Sequence, residues 1–472
     1  MALEFNPIVK KWRKGLKRVA LVYPNKYKGG IANIGLQQLY YEINALDDYV
    51  CERFYSDVFN GLRSVETATP IEKFEIALFS LQYERDYLKA IEIAKKFKGI
   101  KVAGGPCVME NPIPLKNFFD YFFIGEADAC EITEILECKY SGECIKGVYT
   151  GKENRVSRVR AKKLKNHLKE QIIGNGAYGK CVILEIGRGC VRRCRFCIVR
   201  QIYSPIRWRK LDEILDVAKE NRNKVDKAAL IAPSPTDHPR FKDILQNLLD
   251  LGFRVSPSSL RADSIDEEMA DLLIKARLRS LTLAPEAGSE KMRQIINKEI
   301  GEEDIMNAVR LFSKKLKKIK LYFMIGLPLE NYEDLDAIVN LSKKVKKYIP
   351  NVTLSINPLV PKPHTPFQWL PFNIEELRSK VAYLQRELRK SRIRFEMADI
   401  DEFAIQTALA RGDEKIGEFL AKSKIGVRDV RTYLKEIPIE TELPWDFIDH
   451  GYKKSRLVRE YERLTNKLIS SK

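Results

Sequence analysis

Short apolar runs at residues 18–24 (RVALVYP), 75–81 (EIALFSL), 100–106 (IKVAGGP) and 121–128 (YFFIGEAD) have the length and composition of buried strands. Between them apolar residues recur at helical spacing, as in Ile34, Leu36, Leu39, Tyr40 and Ile43. Strands alternating with helices predict an open parallel α/β sheet of the Rossmann or flavodoxin kind over residues 1–151. Residues 152–179 are polar and basic and are expected to form a linker. A second series opens with CVILEI (181–186). It continues through AALIAP (228–233), RVSPSSLR (254–261), SLTLAPE (280–286), KIKLYFMIGLP (318–328) and TLSINPLVP (353–361). Six strands with five intervening helices over residues 180–372 predict a partial (β/α)6 barrel, with catalytic groups at the strands' carboxyl ends. From Asn373 to residue 472 the pattern is helical and charged, which predicts a C-terminal helical segment packed over the barrel mouth.

A chain of 472 residues fits two or three domains. No stretch approaches the roughly eighteen uninterrupted apolar residues of a membrane span, and no apolar core of signal-peptide length opens the chain. The expectation is a cytoplasmic protein without a transmembrane segment. Nine cysteines, an odd count, are then expected to bind metal or do chemistry rather than form bridges. The net charge of +19 includes the runs KKLKNHLKE (162–170) and SKKLKKIK (313–320), which lack interleaved aromatics. Such a surface attracts RNA, DNA or anionic lipid. A Lys/Glu-rich surface with surplus lysine accounts for it equally.

The loop after the strand at 181–186 reads GRGCVRRCRFCIVRQ. Its cysteines, Cys190, Cys194 and Cys197, are spaced so that all three can turn onto one concave face. Arg188, Arg192, Arg193 and Arg195 surround them with positive charge, which favours thiolates and an anionic cluster. A cubane iron–sulfur cluster needs four ligands, so three local cysteines would leave one iron open to a small molecule. The alternatives are structural zinc, which wants four protein ligands, and three unligated buried thiols. No cysteine follows Cys197 and the four histidines are scattered.

Cys190-x3-Cys194-x-Phe196-Cys197 resembles the signature of the radical S-adenosylmethionine (radical SAM) superfamily, aromatic residue included. The resemblance implies a [4Fe-4S] cluster whose open iron chelates S-adenosylmethionine. An electron from an external one-electron reductant then cleaves it to methionine and a 5′-deoxyadenosyl radical. LTLAPEAGSEKMRQIINK (281–298) resembles the fourth-strand motif in which a glutamate, here Glu286, binds the ribose hydroxyls. FMIGLPLE (323–330), with Gly326, resembles the fifth-strand motif beside the adenine, and SSLRADS (258–264) offers Ser259 and Arg261 to the cofactor carboxylate. The Gly-Gly-Glu motif common after the second strand is replaced by APSPTDHP (232–239), leaving Ser234 or a backbone carbonyl for the cofactor amino group. Against these roles stand plainer ones. Glu286 could stabilise the N-terminus of the next helix, Arg261 could be a surface ion-pair partner, and Asp237 and His238 could form a turn with Pro239.

YPNKYKGGIANIGLQQLYYEIN (23–44) is similar to the cobalamin-binding domain that precedes many radical SAM cores. CERFY (51–55), FSLQYERDY (79–87), AGGPCVMENPIPL (103–115), PKPHTPFQW (361–369) and LPWDFIDHGYKKS (443–455) extend the likeness to one family of such fused proteins. The Asp-x-His-x-x-Gly pattern for a histidine on cobalt is absent, and the first histidine is His167. Cobalamin without that ligand, lying against Gly35 and Gly105, therefore competes with a scaffold role for this domain. A second cluster at Cys51, Cys107 and Cys130, as on the related domain of methylthiotransferases, competes with free thiols. The resemblance implies radical chemistry at an unreactive C–H position, with methylation or methylthiolation favoured and RNA as the preferred substrate. A lipid or small metabolite would instead need an apolar channel, for which Phe323, Trp369 and Trp445 are candidates. A non-catalytic iron–sulfur sensor is a third reading, against which the Glu286 and FMIGLP elements speak.

Overall fold

The computed structural model describes residues 4–422 and 425–469. The N-terminal unit is built on β1 (Lys17–Tyr23), β2 (Tyr49–Tyr55), β3 (Ile76–Ser80), β4 (Ile100–Gly104), β5 (Tyr121–Phe123) and β6 (Val148–Tyr149). They form one sheet in the order β2-β1-β3-β4-β5-β6, parallel except for β6. Leu21 and Tyr23 point to one face and Ala20 and Val22 to the other, so both faces bury apolar side chains. The helix Ile34–Ala45 covers the first face and the helix Tyr87–Lys96 the second.

Four strands were expected here and six are found. β2 is buried along its whole length, yet Glu52 and Arg53 interrupt its apolar run. The interruption is tolerated because the Arg53 guanidinium pairs with Glu4 at 2.7 Å and Glu66 at 2.6 Å. Residues 152–179 contain β7 (Val156–Ser157), which pairs with a strand from the C-terminal segment. Further along, Gln171 exchanges hydrogen bonds with the backbone of Ile183, and Gln37 does the same with Ile172. The stretch is thus stitched to both neighbouring units.

The second series runs through β8 (Val182–Glu185), the two-residue pair β9 (Gly187–Arg188) and β10 (Arg207–Trp208), β11 (Lys227–Ile231) and β12 (Arg254–Pro257). It continues with β13 (Leu281–Glu286), β14 (Lys318–Ile325), β15 (Asn351–Pro358) and β16 (Arg394–Met397). The sheets β12-β11-β8 and β13-β14-β15-β16 are parallel throughout, and a parallel bridge from Leu260 to Leu283 joins them. Seven strands in sequential order make the partial (β/α) arrangement, one more than expected. β16 falls in the stretch expected to be helical. Its sequence, RFEM, alternates charged and apolar residues as a half-buried edge strand does, and is too short to stand out from charged helices. The helix Ile374–Lys390 starts where the pattern changes, with the Asn373 side chain accepting from the Glu376 amide.

β17 (Ile448–Asp449) returns to pair with β7, and beside it His450 bonds to the Met109 carbonyl, which brings the C-terminal segment against the N-terminal unit. Phe323, Trp369 and Trp445, expected around an apolar channel, are fully buried core residues, and the Trp445 indole donates to Gln368 Oε1 at 2.9 Å. PKPHTPFQW and LPWDFIDHGYKKS meet there, with the His364 and His450 rings 4.2 Å apart. Each Nε2 donates to a backbone carbonyl, of Glu110 and Met109 respectively, on the short helix Pro106–Glu110. Burial holds both imidazoles well below their ordinary value, so both are neutral donors. Among the described residues no helix is long and apolar enough to cross a membrane.

Candidate active site

The cysteine loop leaves β8 and is closed at its base by the β9–β10 pair, with Arg188 opposite Arg207. Gly189, at φ +92°, makes the turn, and a Cβ there would lie 2.5 Å from the Tyr203 carbonyl oxygen, so only glycine fits. Cys190, Cys194 and Cys197 lie on the loop that follows, each partly exposed. The Arg192 amide donates to Cys190 Sγ at 3.4 Å and the Cys197 amide to the Cys194 carbonyl at 3.3 Å. Burial pushes all three thiols up, Cys197 to about 12. Thiols this reluctant to ionise alone make poor free nucleophiles, whereas a bound metal ion would displace their protons. Three sulfur donors on one short loop fit the cluster and leave its fourth ligand to a small molecule.

Loops from the next strands brace this one. Arg192 is bidentate to Asp237 after β11, and 3.8 Å from Asp263 after β12. Arg195 donates to the Ile295 carbonyl at 2.5 Å, and Asn297 Nδ2 to the Arg193 carbonyl at 3.0 Å. Burial alone would raise the Asp237 carboxyl, but the hydrogen bonds from Arg192 and the nearby Ser234 hydroxyl hold it below its usual range. Ser234 Oγ is itself buried beside Asp237 and makes no hydrogen bond of good geometry. His238 has its Nε2 on the Arg209 carbonyl and its Nδ1 on the Arg240 amide, which makes it a turn residue.

Arg261 is no surface residue. It is buried, paired with Asp263 at 2.9–3.0 Å, and donates to the Lys298 carbonyl at 3.0 Å. Glu286 closes β13 at φ +68°, and Asn297 and Glu299 nearby are also left-handed. Non-glycine residues held there carry strain, which collects at functional sites. Glu286 is not the N-cap of the following helix, a place Ser289 takes by accepting from the Met292 amide at 3.2 Å. Glu286 instead meets Lys298 at 3.3 Å. Burial raises its carboxyl, and Lys298 offsets part of the rise. Lys298 also sits close enough to Cys194 to favour its thiolate. Nothing local in INKEI marks Lys298, since the site is assembled only by the return of the chain after the helix.

The remaining expected residues are Phe196, Gly326 and Ser259. Phe196 packs against the apolar cluster that includes Ile296, Leu327 and Leu359. Gly326, at φ +74°, donates its amide to Glu330 at 2.7 Å, and a side chain there would strike Leu377. Ser259 is half-buried at the end of β12, but its neighbour Ser258 is the one that lines the cavity described next.

A cavity of about 530 Å³ lies between the two units. From the N-terminal side come Gly35, Gly104, Gly105 and the apolar face of Leu21, Leu78 and Val102. From the barrel side come Glu185, Gly189, Ala232 and Ser258 at the strands' carboxyl ends. A Cβ at Gly35 would meet only Asn33 Oδ1, at 3.3 Å, and one at Gly104 only the Phe123 carbonyl oxygen, at 3.9 Å, so both present bare backbone to open space. Gly105 differs. Its φ is +106° and a Cβ would lie 2.6 Å from the Leu81 oxygen, so the backbone itself requires glycine. The wall nearest the cysteine loop is ionic. Arg188 grips Asp128 at 2.8 Å and Glu185 at 2.8 Å, and Arg207 and Arg209 pair with Glu126 and Glu185. His167 is on the wall too, but its Nε2 accepts from the Glu185 amide at 2.9 Å.

The remaining cysteines depart from expectation in one respect. Cys130 and Cys144 form a disulfide, with Glu134 beside them, so the expectation of unbridged cysteines is corrected. Cys51 belongs to the core on one face of the N-terminal sheet and Cys107 to the core on the other. The sheet thus separates two of the three thiols a second cluster would need, and the third is in a bridge.

Two family models match the chain: "Radical SAM superfamily" over residues 184–342 and "Radical SAM proteins, N-terminal" over residues 35–146. The Methanocaldococcus jannaschii protein MJ0966 is 41% identical over 423 residues, covering 87% of this chain and 92% of its own. The ribosomal protein uS12 methylthiotransferase of Clostridioides difficile is 25% identical over 34% of this chain and 40% of its own length. Among solved structures, the radical S-adenosylmethionine methyltransferase TsrM from Kitasatospora setae, with cobalamin and a [4Fe-4S] cluster bound, aligns with a TM-score of 0.57 at 17% identity. It covers 72% of this chain and 75% of that one. The cobalamin-dependent radical enzyme OxsB aligns with a TM-score of 0.53 at 15% identity over 96% of this chain and 62% of that one. With a cysteine loop at the carboxyl end of the first barrel strand and the match of both family models, this chain belongs to the radical SAM superfamily of enzymes.

Proposed function

We propose that this protein is a cobalamin-dependent radical SAM methyltransferase acting on an unreactive C–H position, with RNA as its substrate class. The observation that carries the reading is the cavity that runs from the glycine cradle of the N-terminal sheet to the barrel ends and Gly189 at the base of the cysteine loop. Cys190, Cys194 and Cys197 hold a [4Fe-4S] cluster, which when bound supplies an open iron and one electron for reductive cleavage of S-adenosylmethionine. Arg261 offers charge to the cofactor carboxylate, Glu286 accepts from its ribose hydroxyls, and Ser234 stands by for its amino group. The ionic wall around Arg188 fixes the spacing between the two units and keeps the loop in place.

Methylation is favoured over methylthiolation because Cys51 and Cys107 face opposite sides of the sheet and Cys130 is bridged, so these three do not come together for a second cluster. Cobalamin is supported by the cradle and by TsrM and OxsB, which share the fold and bind it. It would lack an imidazole from residues 1–166, and His167 Nε2 is engaged. RNA is supported by the charge of +19 and by the tRNA-2-methylthio-N(6)-dimethylallyladenosine synthase of Aquifex aeolicus, 24% identical over 52% of this chain and 57% of its own.

The test uses the open glycines rather than Gly105, where any side chain would break the backbone. Gly35→Leu with Gly104→Leu is expected to abolish cobalamin retention while iron stays at about four per chain. Stoichiometric cobalamin in that variant would refute this placement. A wild type reconstituted with cobalamin that retains none would return the domain to a scaffold role.

Glu286→Gln is expected to weaken S-adenosylmethionine binding by about 10- to 150-fold, the loss of a charge-assisted hydrogen bond of roughly 1.5–3 kcal/mol. Anaerobic calorimetry on the iron-loaded protein measures it. Unchanged affinity would reduce Glu286 to a counter-ion for Lys298.

A further inference from the structure

The short helix Val199–Tyr203, directly after the cysteines, separates two concavities. Val199 and Tyr203 face the cavity already described. Arg200, Gln201 and Ser204 face a groove of about 500 Å³ on its other side, whose remaining walls come from the stretch around 157–162 and from residues 449–456. Six cations and two carboxylates line this groove: Lys146, Arg158, Arg160, Lys162, Arg200 and Arg456, with Glu143 and Asp449. Both carboxylates are spoken for. Glu143 pairs with Lys146 at 2.7 Å, and Asp449 with Arg155 at 2.6 Å. Among the described residues the other five cations have no carboxylate within 4.0 Å.

These cations are held in place by neutral partners. Arg158 donates to the carbonyls of Gln201, Ile202, Ser204 and His450, at 2.5–3.3 Å. Arg456 lies 4.2 Å over the Tyr452 ring and donates to Gln201 Oε1 at 2.5 Å. Arg158 Nε and Arg456 Nε are buried without a partner. Arg160 has one bond, to the Ser204 carbonyl at 3.1 Å. Burial, and after it Arg456 and Arg193, pull the Arg200 guanidinium below its ordinary value, with Glu460 offsetting part of the fall. Like charges gathered with few counter-charges and no direct ion pair destabilise a fold, and an anionic ligand removes that cost.

We propose that this groove binds the phosphodiester backbone of a single-stranded RNA segment and so anchors the substrate beside the cysteine loop; the proposal rests on RNA being the substrate class. Arg158 and Arg456 are committed as braces, which leaves Arg160, Lys162 and Arg200 to meet phosphate, the arginine forks matching its oxygens bidentately. These three come from two chain segments, which suits successive phosphates better than one. A concave groove of this size suits a single strand, whereas duplex RNA is gripped across its wide, shallow minor groove.

The experiment measures binding of a labelled oligouridylate of about 20 nucleotides to full-length, iron-loaded protein, between roughly 50 and 200 mM salt. The groove variant is Arg160→Gln/Lys162→Gln/Arg200→Gln, leaving Arg158 and Arg456 as braces. The control is Lys314→Gln/Lys315→Gln/Lys317→Gln, which removes three exposed lysines elsewhere. The groove variant is expected to bind about 10- to 100-fold more weakly. Its slope of log affinity against log salt should be shallower by about two, at about 0.7 for each lost single-strand phosphate contact. The control should keep the wild-type slope. Unchanged affinity in the groove variant, or equal weakening in both, would overturn the groove as the site. Displacement of the oligouridylate by millimolar inorganic phosphate or uridine monophosphate would assign it to a free phosphate ligand instead, and tighter binding of polyglutamate would assign it to an acidic protein. RNA modified normally by a groove variant that binds it normally overturns the groove and leaves the substrate class standing. Groove-dependent binding with no RNA product does the reverse.

Discussion

Alanine at Cys190, Cys194 and Cys197 together is expected to take the anaerobically reconstituted protein from about four iron and four sulfide per chain to none, and to abolish cleavage of S-adenosylmethionine. The effect is all-or-none because the loop offers no other thiol. Cys181, the nearest other cysteine in sequence, is buried in β8's flank with Ile183 and Ala229, and Cys107 and Cys51 sit in the N-terminal cores. The fold should survive, since the loop is anchored by groups other than its thiols: Arg192 on Asp237, Arg195 on the Ile295 carbonyl and the β9–β10 pair. Iron and sulfide assays, the cluster's visible absorption and the yield of 5′-deoxyadenosine check the three parts separately. A triple variant that kept its iron and its cleavage activity would place the cluster elsewhere and undo the assignment of the site.

The reach of the amino-acid sequence differs between parts of this site for a physical reason. The three cysteines lie within eight residues and their spacing is itself the chemistry, so they can be read directly. Asp263 faces Arg192 of the same loop and Lys298 acts on Cys194 from 66 and 101 residues beyond Cys197, and their charges look like any surface charge until the chain folds. The strand at Tyr49–Tyr55 escapes periodicity because its polar members are paired internally, and the one at Arg394–Met397 because four residues cannot outweigh the charged helices around them. Trp369 and Trp445 show the opposite error. Large aromatics line channels and fill cores alike, and only packing tells the two apart; here both are core. The glycines of the N-terminal unit were legible as a cluster, but their division into open positions at Gly35 and Gly104 and a backbone-required one at Gly105 depends on what stands opposite each.

A second large effect is expected at Lys362, in the PKPHTPFQW stretch. Its ammonium is buried against Glu84 and Glu110 of the N-terminal unit, and Gln406 Nε2 donates to Glu84 at 3.0 Å. Burial pushes both carboxyls up. Lys362 brings Glu84 back below its ordinary value, while Glu110, with Glu84 beside it, stays above. Lys362→Met leaves two buried carboxyls without a cation, and the loss of one partner from a buried ionic cluster costs about 3–5 kcal/mol. Both carboxyls would then have folded-state pKa values above the ordinary 4.5 of the unfolded chain. For a carboxyl raised in that sense, stability is full below the unfolded value and is lost as pH rises through the folded one. The variant's deficit in urea should therefore be smallest near pH 5, at about the unfolded value, and grow toward pH 8. The wild type, with only Glu110 raised, follows the same trend more weakly. Lys362→Met combined with Glu84→Gln and Glu110→Gln removes every charge and should recover most of the loss, because a neutral cluster of similar shape carries no uncompensated ion. A single variant as stable as wild type at pH 8, or a triple variant no better than the single, would show that the junction between the two units does not depend on this ionic cluster.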